Sequence, residues 1–345
     1  MSATSGPSAT EHAAAQTPGS ATEPSTGRTA SPAARYAPAG QAAQPDSAGQ
    51  SAQPNPPARA AQPSPAYASP AGAHVALDCA AFDPAVDRLA VRRAGHLVVI
   101  ELADHDRRNM MSLEMTAAWS RLIPAIAADS DVRAVLLTGQ GSAFSSGGDT
   151  SWIGADSHEP VPVLRERMLA YYQAWLTIRD LPMPTIAAVN GPAIGAGAAL
   201  ALACDIRWAG ESAAMSVPFL RMGLHPGMLS TFLLTEVAGV AAARDLLFTG
   251  RRVAAADMLA LGLVSRVIAD DRLAEDAYSA ALMVAASAPM AASLTKVALR
   301  DGGPQDWAAT MQWEGLAQAV TLASEDLTEG LAALREKRSP RFTGR

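Results

Sequence analysis

The chain has 345 residues, a formal net charge of -6 and a hydrophobic fraction of 49%. This length and apolar content suffice for a core domain of about 200–250 residues, and the mild negative charge gives no electrostatic reason to expect nucleic acid or an anionic membrane as a partner. The two cysteines, Cys79 and Cys204, exclude a disulfide framework and a CxxC metal site, so we expect a reducing, cytoplasmic compartment.

Residues 1–75 differ in composition from the rest of the chain. They contain 12 of its 24 prolines, and their only aromatic residues are Tyr36 and Tyr67. Such a segment buries too little apolar area to offset its conformational entropy, which predicts a disordered Pro/Ala/Ser-rich extension. It has neither the apolar run of a secretion signal nor the 18-residue run of a membrane span. A translation start assigned too early and a tethering arm are the alternative interpretations.

Strand and helix patterns alternate in the remainder of the chain. Apolar runs at 89–93 and 97–102 predict a hairpin whose second strand is buried, and Ser112 is the predicted N-cap of a helix that reaches Asp129. The later predicted elements are a strand at 133–138, a polar stretch around 152–160, a helix at 163–181, a strand at 185–189 and a helix of small residues at 195–204. This alternation predicts an α/β fold of ββα-like units, with a core over 86–270 and a helical region over 271–345.

Two turns of small residues follow two of the predicted strands. Phe144–Asp149 (FSSGGD) follows the first, and Asn190–Gly197 (NGPAIGAG) follows the second. Small side chains let a ligand approach the backbone, and each turn leads to a helix start, whose free N–H groups favour a negative oxygen. Taken alone, such a turn is more often a plain strand-to-helix connection, or in some proteins a phosphate cradle. The phosphate-binding GxxxxGK[ST] and GxGxxG spacings are missing from both turns. As a pair they predict a two-part oxyanion hole.

Several stretches resemble the crotonase (enoyl-CoA hydratase/isomerase) superfamily in order and spacing, from about Leu89 to Arg345. Besides the two turns they are Arg108–Ser112 (RNMMS), Cys204–Ile206 (CDI), Gly223–Gly227 (GLHPG), Leu247–Arg251 (LFTGR), Gly262–Val264 (GLV) and Glu336–Phe342 (EKRSPRF). The resemblance implies a spiral core of ββα units and C-terminal helices that pack into homotrimers or hexamers. It also implies an acyl-CoA substrate, with coenzyme A as part of that substrate, no separate cofactor and no metal.

The same resemblance implies roles for individual residues. Gly148 and Ala196 would donate their N–H groups to the thioester carbonyl, and the methyl group of Ala196 is compatible with this role if its φ is negative. Phosphate contacts are implied for Arg107, Arg108 or Arg341, with solvated surface charge as the alternative. The implied substrate-binding positions are Arg108, Met110, Met111, Ser146, Gly147, Asp149, Thr150, Gly195, Ala199, Phe219 and Gly227.

The main departure from the family concerns its two catalytic carboxylates. Ala199 and Phe219 stand where the hydratases of the family place Glu, and neither side chain can move a proton. General acid–base assistance is worth about 10²–10⁴-fold per group, so ordinary hydratase turnover is not expected even with an oxyanion hole. Asp149 and Asp205 do not replace these carboxylates, because their positions predict Asx-type caps.

The resemblance also implies that the loop Met222–Met228 lies over the acyl end of the ligand, which makes its His225 the main candidate for proton transfer there. The alternative is a loop histidine that bonds a backbone carbonyl. His105 and His158 are weaker candidates, and either Tyr171 or Tyr172 could donate a proton into the pocket.

Three functions are compatible with this pattern. The first is an enzyme that stabilises a thioester enolate with a different acid or base, such as a decarboxylase, a C–C lyase, a hydrolase or a specialised isomerase. The second is a hydratase of an unusual enoyl thioester, and the third is a non-catalytic acyl-CoA-binding paralogue. A His225 ring beside the two N–H groups would favour an enzyme, and a ring that points to solvent would favour the binding protein. Apolar side chains around this position suit either a hydrophobic acyl chain or core packing.

Overall fold

The computed structural model describes residues 76–155, 158–300 and 306–345. The predicted disordered extension over 1–75 lies outside the described residues. The strands are β1 (Leu89–Ala94), β2 (Leu97–Leu102), β3 (Met110–Met111), β4 (Ala134–Gly139), β5 (Gly147–Gly148), β6 (Thr185–Val189), β7 (Pro192–Ile194), β8 (Ile206–Gly210), β9 (Ala214–Ser216), β10 (Val253–Ala254) and β11 (Arg266–Ile268).

Helices separate most of these strands. They are α1 (Pro84–Asp87), α2 (Leu113–Ala128), α3 (Thr150–Ala155), α4 (Val161–Leu176), α5 (Ala196–Ala203), α6 (Ser230–Thr249), α7 (Ala255–Ala260), α8 (Leu273–Ala285), α9 (Pro289–Leu299), α10 (Trp307–Leu322) and α11 (Glu325–Glu336). Single 3-10 turns lie at Cys79–Ala81, His105–Arg107, Thr177–Asp180 and Phe219–Met222.

A six-stranded sheet forms the centre, in the order β1-β2-β4-β6-β8-β11. β1 and β2 form the predicted antiparallel hairpin, whereas the other neighbours are parallel. Parallel strands need crossover helices, which cover both faces of such a sheet and explain why the strand sequences are almost continuously apolar.

Alternate residues of one strand enter two different parts of the core. Val98, Ile100 and Leu102 of β2 pack with α2, α4 and α5 on one face. Leu97 and Val99 of the same strand pack with α8 on the other face. This alternation follows from the two-residue period of a strand.

Two smaller sheets lie beside the central one. β7 runs parallel to β9, which pairs with β10 in the opposite direction, and β3 runs parallel to β5. β5 contains part of the first turn of small residues and β7 contains part of the second. The two small sheets therefore determine where those turns lie.

The predicted helices are confirmed with small changes at their ends. Ser112 caps α2 through its hydroxyl, which accepts a hydrogen bond from the N–H of Met115 at 3.3 Å. The helix predicted over 163–181 begins earlier, at Val161, and ends in a 3-10 turn. The predicted polar stretch around 152–160 overlaps α3, which occupies residues 150–155.

An ion pair between a buried lysine and a partly exposed aspartate connects the C-terminal helices to the sheet. The Lys296 ammonium on α9 lies 2.8 Å from the carboxylate of Asp205 and donates to the carbonyl of Met183 at 3.0 Å. Burial lowers the pKa of Lys296, while the Asp205 charge opposes that shift. Asp205 also accepts from the N–H and the hydroxyl of Thr185, both at 2.8 Å. The predicted local cap is therefore wrong for Asp205, whose carboxylate joins three segments distant in sequence.

The last residues are held by carboxylates of α11. Glu329 accepts two hydrogen bonds from the Arg338 guanidinium, at 2.6 and 2.9 Å, and one from the N–H of Arg341 at 2.7 Å. The bonds from Arg338 lower the pKa of Glu329 to about 2. Asp326 accepts from the N–H groups of Thr343 and Gly344.

Among the described residues, no single helix has the length and apolar character of a membrane span. The pair α8 and α9, bent by 107°, passes that test by length and composition alone, and α8 places its buried alanines against the central sheet.

Candidate active site

The two turns of small residues are in direct contact. Ser145 and Ala193 form an isolated parallel bridge, and the Ile194 N–H donates to the carbonyl of Ser145 at 2.9 Å. Gly147 lies at the centre of this contact with φ of 92°. A Cβ at Gly147 would lie 2.5 Å from the Ile194 carbonyl oxygen and 3.3 Å from the Ala196 nitrogen. Only glycine therefore lets the two turns approach this closely.

The side-chain amides of Asn109 and Asn190 hold these two turns through hydrogen bonds to backbone groups. Asn109, at φ of 54°, is fully buried. Its amide NH₂ donates to the carbonyls of Gln140 and Ala143 at 2.9 and 2.8 Å, and its carbonyl oxygen accepts from the N–H of Asp104. Asn190 plays the matching part on the second turn, where it accepts from the Gly139 N–H at 3.1 Å. Side-chain amides that satisfy several backbone groups hold the conformation of both turns.

Ala196 begins α5, directly after Gly195. Its φ is not positive, which confirms the condition that the sequence placed on it. The first N–H groups of a helix have no partner within the helix, and the Ala196 N–H has none elsewhere among the described residues. The preceding Gly195 is held by β9, because its N–H donates to the Ser216 carbonyl at 2.8 Å. The Ala196 N–H is therefore a free donor in a rigid frame.

Gly148, the other predicted donor, lies in β5 and is partly exposed. β5 pairs with β3, so Met110 lies opposite Gly147 and Met111 opposite Gly148. The structure thus brings three of the predicted substrate-binding positions, Met110, Met111 and Gly147, next to the predicted donor Gly148.

The charged residues near β3 face solvent. Arg108, at φ of 54°, is exposed and accepts from the Ser146 N–H through its carbonyl at 2.8 Å. Arg107 is 42% exposed at its side chain and pairs with Asp104 at 2.7 Å. Ser146 and Thr150 are exposed as well. Arg341 lies instead on the C-terminal segment, next to Glu329.

The predicted carboxylate positions hold no acid. Ala199 is fully buried on α5. Phe219 is half-buried, and its Cζ lies 3.8 Å from where a Cβ of Gly195 would be. The tip of an aromatic ring therefore lies near the backbone at the start of α5.

Asp149, the charged residue nearest to Gly148 in sequence, acts as a cap. One carboxylate oxygen accepts from the N–H of Ser151 at 2.9 Å and from its hydroxyl at 2.6 Å. The Ser151 hydroxyl lowers the pKa of Asp149 below its usual value. This confirms the predicted Asx-type cap, and a carboxylate of lowered pKa is a poor base.

His225 is exposed, and its Nδ1 lies 2.9 Å from the Pro226 carbonyl oxygen. That arrangement corresponds to the loop histidine bonded to a backbone carbonyl. His105 is exposed beside Asp106, and His158 is exposed too.

Tyr171 and Tyr172 are placed differently from each other. Tyr171 is buried and donates its hydroxyl to the Met111 carbonyl at 3.2 Å; burial raises its pKa. Tyr172 is half-buried and lies against Gly227, whose added Cβ would lie 2.9 Å from the Tyr172 Cζ.

Sequence reasoning missed two features of this site. One is the amide network of Asn109, and the other is the contact between Tyr172 and Gly227. Asparagine tolerates positive φ better than most residues, so the Arg108-Asn109 pair carried a signal for a special turn. The contact between residues 172 and 227 had no local signal.

Among the described residues, no group of three or more His, Cys, Asp or Glu side chains is placed to hold a metal ion. Burial raises the pKa of the Cys204 thiol to about 12, so this cysteine is not a nucleophile at neutral pH.

A mixed central sheet with helices on both faces, in which the small-residue turns after β4 and β6 meet, is a crotonase-type α/β fold. The sequence model of the enoyl-CoA hydratase/isomerase family matches residues 92–345. The chain therefore belongs to the enoyl-CoA hydratase/isomerase family.

Individual relatives agree with this assignment. The chain is similar to enoyl-CoA hydratase domain-containing protein 2, mitochondrial, of Homo sapiens, with 36% identity over 243 residues that cover 69% of this chain and 82% of the relative. Among solved structures it is similar to an enoyl-CoA hydratase from Bacillus anthracis, with a TM-score of 0.70, 32% identity and coverage of 75% of this chain and 100% of the other. A Geobacillus kaustophilus structure described as enoyl-CoA hydratase subunit I gives a TM-score of 0.68 at 35% identity, with 75% and 98% coverage.

Proposed function

We propose that this protein is an acyl-CoA enzyme that stabilises a thioester enolate between the N–H groups of Gly148 and Ala196. The observation that carries the proposal is the contact of the two turns at Gly147, which leaves the Ala196 N–H free at a helix start. Two preorganised donors on one carbonyl oxygen stabilise the charge that develops there when a bond at C2 breaks. The bound coenzyme A is part of the substrate, and the proposed enzyme needs no other cofactor.

The reaction is not standard hydration. With Ala199 buried and the Phe219 ring near the start of α5, the described residues of the proposed site include no paired carboxylates to hold a water against C3. The proposed chemistry is a lyase or isomerase reaction whose enolate takes its proton from another group, with His225 as the titratable candidate.

The Ala196 donor can be removed without breaking its helix. Proline lacks the N–H and is favoured at the first helical position, so Ala196→Pro deletes the proposed donor and leaves α5 able to form. Leu113→Pro is the matched control, because Leu113 is the exposed first residue of α2 and its preceding residue is extended.

The assay incubates the protein with butyryl-CoA in D₂O. Mass spectrometry then measures how much C2 hydrogen has been exchanged for deuterium. We expect exchange with the unmodified protein and with Leu113→Pro, and a loss of about 10²–10³-fold with Ala196→Pro. Undiminished exchange in Ala196→Pro would refute the donor role. His225→Ala, measured in the same series, tests the proposed acid.

A second candidate is a non-catalytic acyl-CoA-binding protein. The exposed His225 ring, bonded to its neighbour's carbonyl, favours it. Thioester binding tighter than that of free CoA, without exchange or product across a panel of saturated and unsaturated thioesters, would select this candidate.

The protein is also proposed to act as a cytoplasmic homotrimer or hexamer. Its C-terminal helices expose large apolar side chains, which a partner copy would cover: Met283, Trp307, Met311, Leu316 and Leu322. Light scattering of the purified protein gives the subunit number directly, and a monomeric mass would contradict the proposal.

A further inference from the structure

The helix α5, which carries the Ala196 donor, has no side chain that can form a hydrogen bond. Its eight residues are Ala, Gly and Leu, and all of them are buried. Apolar burial has no preferred direction, so it fixes the depth of the helix in the core better than its position along its own axis. That position therefore depends on contacts at the two ends of the helix.

At the N-terminal end, α5 touches the first turn of small residues. A Cβ on Gly197 would lie 2.6 Å from the Ser145 carbonyl oxygen and 2.7 Å from the Ser145 Cβ. The first turn continues from Ser145 to Gly148, the other proposed donor. A small movement of α5 would therefore change how the Ala196 N–H lies relative to that turn.

At the C-terminal end, one side chain holds the backbone. Arg207 lies on β8, the strand that follows α5. Its Nη1 donates to the Leu202 carbonyl at 3.4 Å and also to the Cys204 carbonyl. Its Nε donates to the Leu263 carbonyl, between α7 and β11, at 2.8 Å. One guanidinium thus connects the end of α5 to the next strand and to a third, distant segment.

A guanidinium suits this place for physical reasons. The last four carbonyls of a helix have no partner within the helix and carry the negative end of its dipole. A planar cation whose donors form a fixed fork can bond several such oxygens at once. With its eight residues, α5 is only about 12 Å long, so a displacement at Leu202 moves Ala196 as well.

We propose that Arg207 is a positioning residue of the oxyanion site, because its bonds at the C-terminal end of α5 hold the Ala196 N–H in place beside the Gly148 turn. This inference rests on the proposed function, which assigns the Ala196 N–H to the thioester oxygen. Arg207 acts only through α5 and does not touch the substrate.

The readout is the carbonyl stretching frequency of bound butyryl-CoA, labelled with ¹³C at the thioester carbon and measured by difference infrared spectroscopy. Hydrogen bonds to the thioester oxygen lower this frequency, and the lowering depends on where the donors lie. We expect a lowering with the unmodified protein. Arg207→Met should lose most of it while still binding butyryl-CoA, and its C2 exchange in D₂O should fall about 10–10²-fold.

Arg133→Met is the matched control for lost stability. Arg133 is another arginine whose Nη1 donates to a backbone carbonyl, that of Phe342 at 2.9 Å, but this bond holds the C-terminal segment. The control should therefore be destabilised and keep the full lowering. Arg207→Lys keeps the charge without the fork and should lose about half of the lowering, so it decides the question if Arg207→Met fails to bind.

A full lowering in Arg207→Met or Arg207→Lys would overturn the inference, and so would an equal loss in Arg133→Met. Each of these results leaves the proposed function standing, because the unmodified protein still polarises the thioester. No lowering and no exchange with the unmodified protein would remove the proposed function together with the inference.

Discussion

Replacing Gly147 by alanine should separate the two turns and abolish thioester binding. Gly147 has φ of 92°, and the added methyl group would lie 2.5 Å from the Ile194 carbonyl oxygen. That oxygen belongs to backbone that is fixed by the β7–β9 pairing, so it cannot turn away as a side chain would. The Ala196 nitrogen, 3.3 Å from the same methyl group, would move with it.

The expected loss of stability has two parts. Placing a non-glycine residue at positive φ costs about 1–2 kcal/mol, and the overlap with fixed backbone costs about 1–3 kcal/mol more. The sum of about 2–5 kcal/mol corresponds to a fall of about 4–20 °C in the melting midpoint, at about 2–4 °C per kcal/mol for a domain of this size.

Gly95→Ala is the matched control for the first part alone. Gly95 lies in the β1–β2 turn at φ of 59°, with no atom within 4 Å of the added Cβ. It should lose about 1–2 kcal/mol and bind acyl-CoA normally. The assays are the thermal midpoint by circular dichroism and the affinity for butyryl-CoA. If Gly147→Ala matches Gly95→Ala in both measurements, the contact between the turns does not depend on this glycine, and the reasoning fails.

Three further predictions concern charged groups. Ser151→Ala should raise the pKa of Asp149 toward its usual value, because the Ser151 hydroxyl is the main cause of its lowering; a carboxylate titration by NMR that shows no change would contradict this. Asp205→Asn should destabilise the protein by about 3 kcal/mol, because it leaves Lys296 buried without its charge partner, whereas Lys296→Met should cost less; denaturant unfolding that reverses this order would exclude the ion-pair explanation. The pKa of Glu329 is lowered from 4.5 to about 2, so its stabilising effect is complete above pH 4.5 and is lost as the pH falls toward about 2. The protection of the last amides against exchange, relative to the intrinsic rate at each pH, should fall over that range, and Glu329→Gln should already have low protection at pH 6.

The sequence predicted the order of strands and helices well, because burial imposes a period on each of them. The β1–β2 hairpin, the Ser112 cap and the apolar face of α2 were all visible as local patterns. The sequence also predicted the two turns, because a run of glycine and alanine indicates a place where backbone segments approach each other closely. The assignment of Asp149 as a cap needed only its next two residues.

The sequence failed where a residue acts on a distant segment. Asp205 was interpreted as a local cap, but its carboxylate bonds Thr185 and Lys296, which are 20 and 91 positions away along the chain. The residues next to an aspartate in sequence do not indicate which distant donors the fold will bring to its carboxylate.

The family and the layered α/β fold were thus determined by the sequence alone, because each depends on the spacing and type of residues along the chain. Only the tertiary structure decided that Gly147 lies against Ile194, that the His225 ring is exposed and that the Tyr172 hydroxyl meets Gly227. These contacts join residues from separate strand–helix units, and their distances depend on how the units pack. Local propensity does not encode that packing.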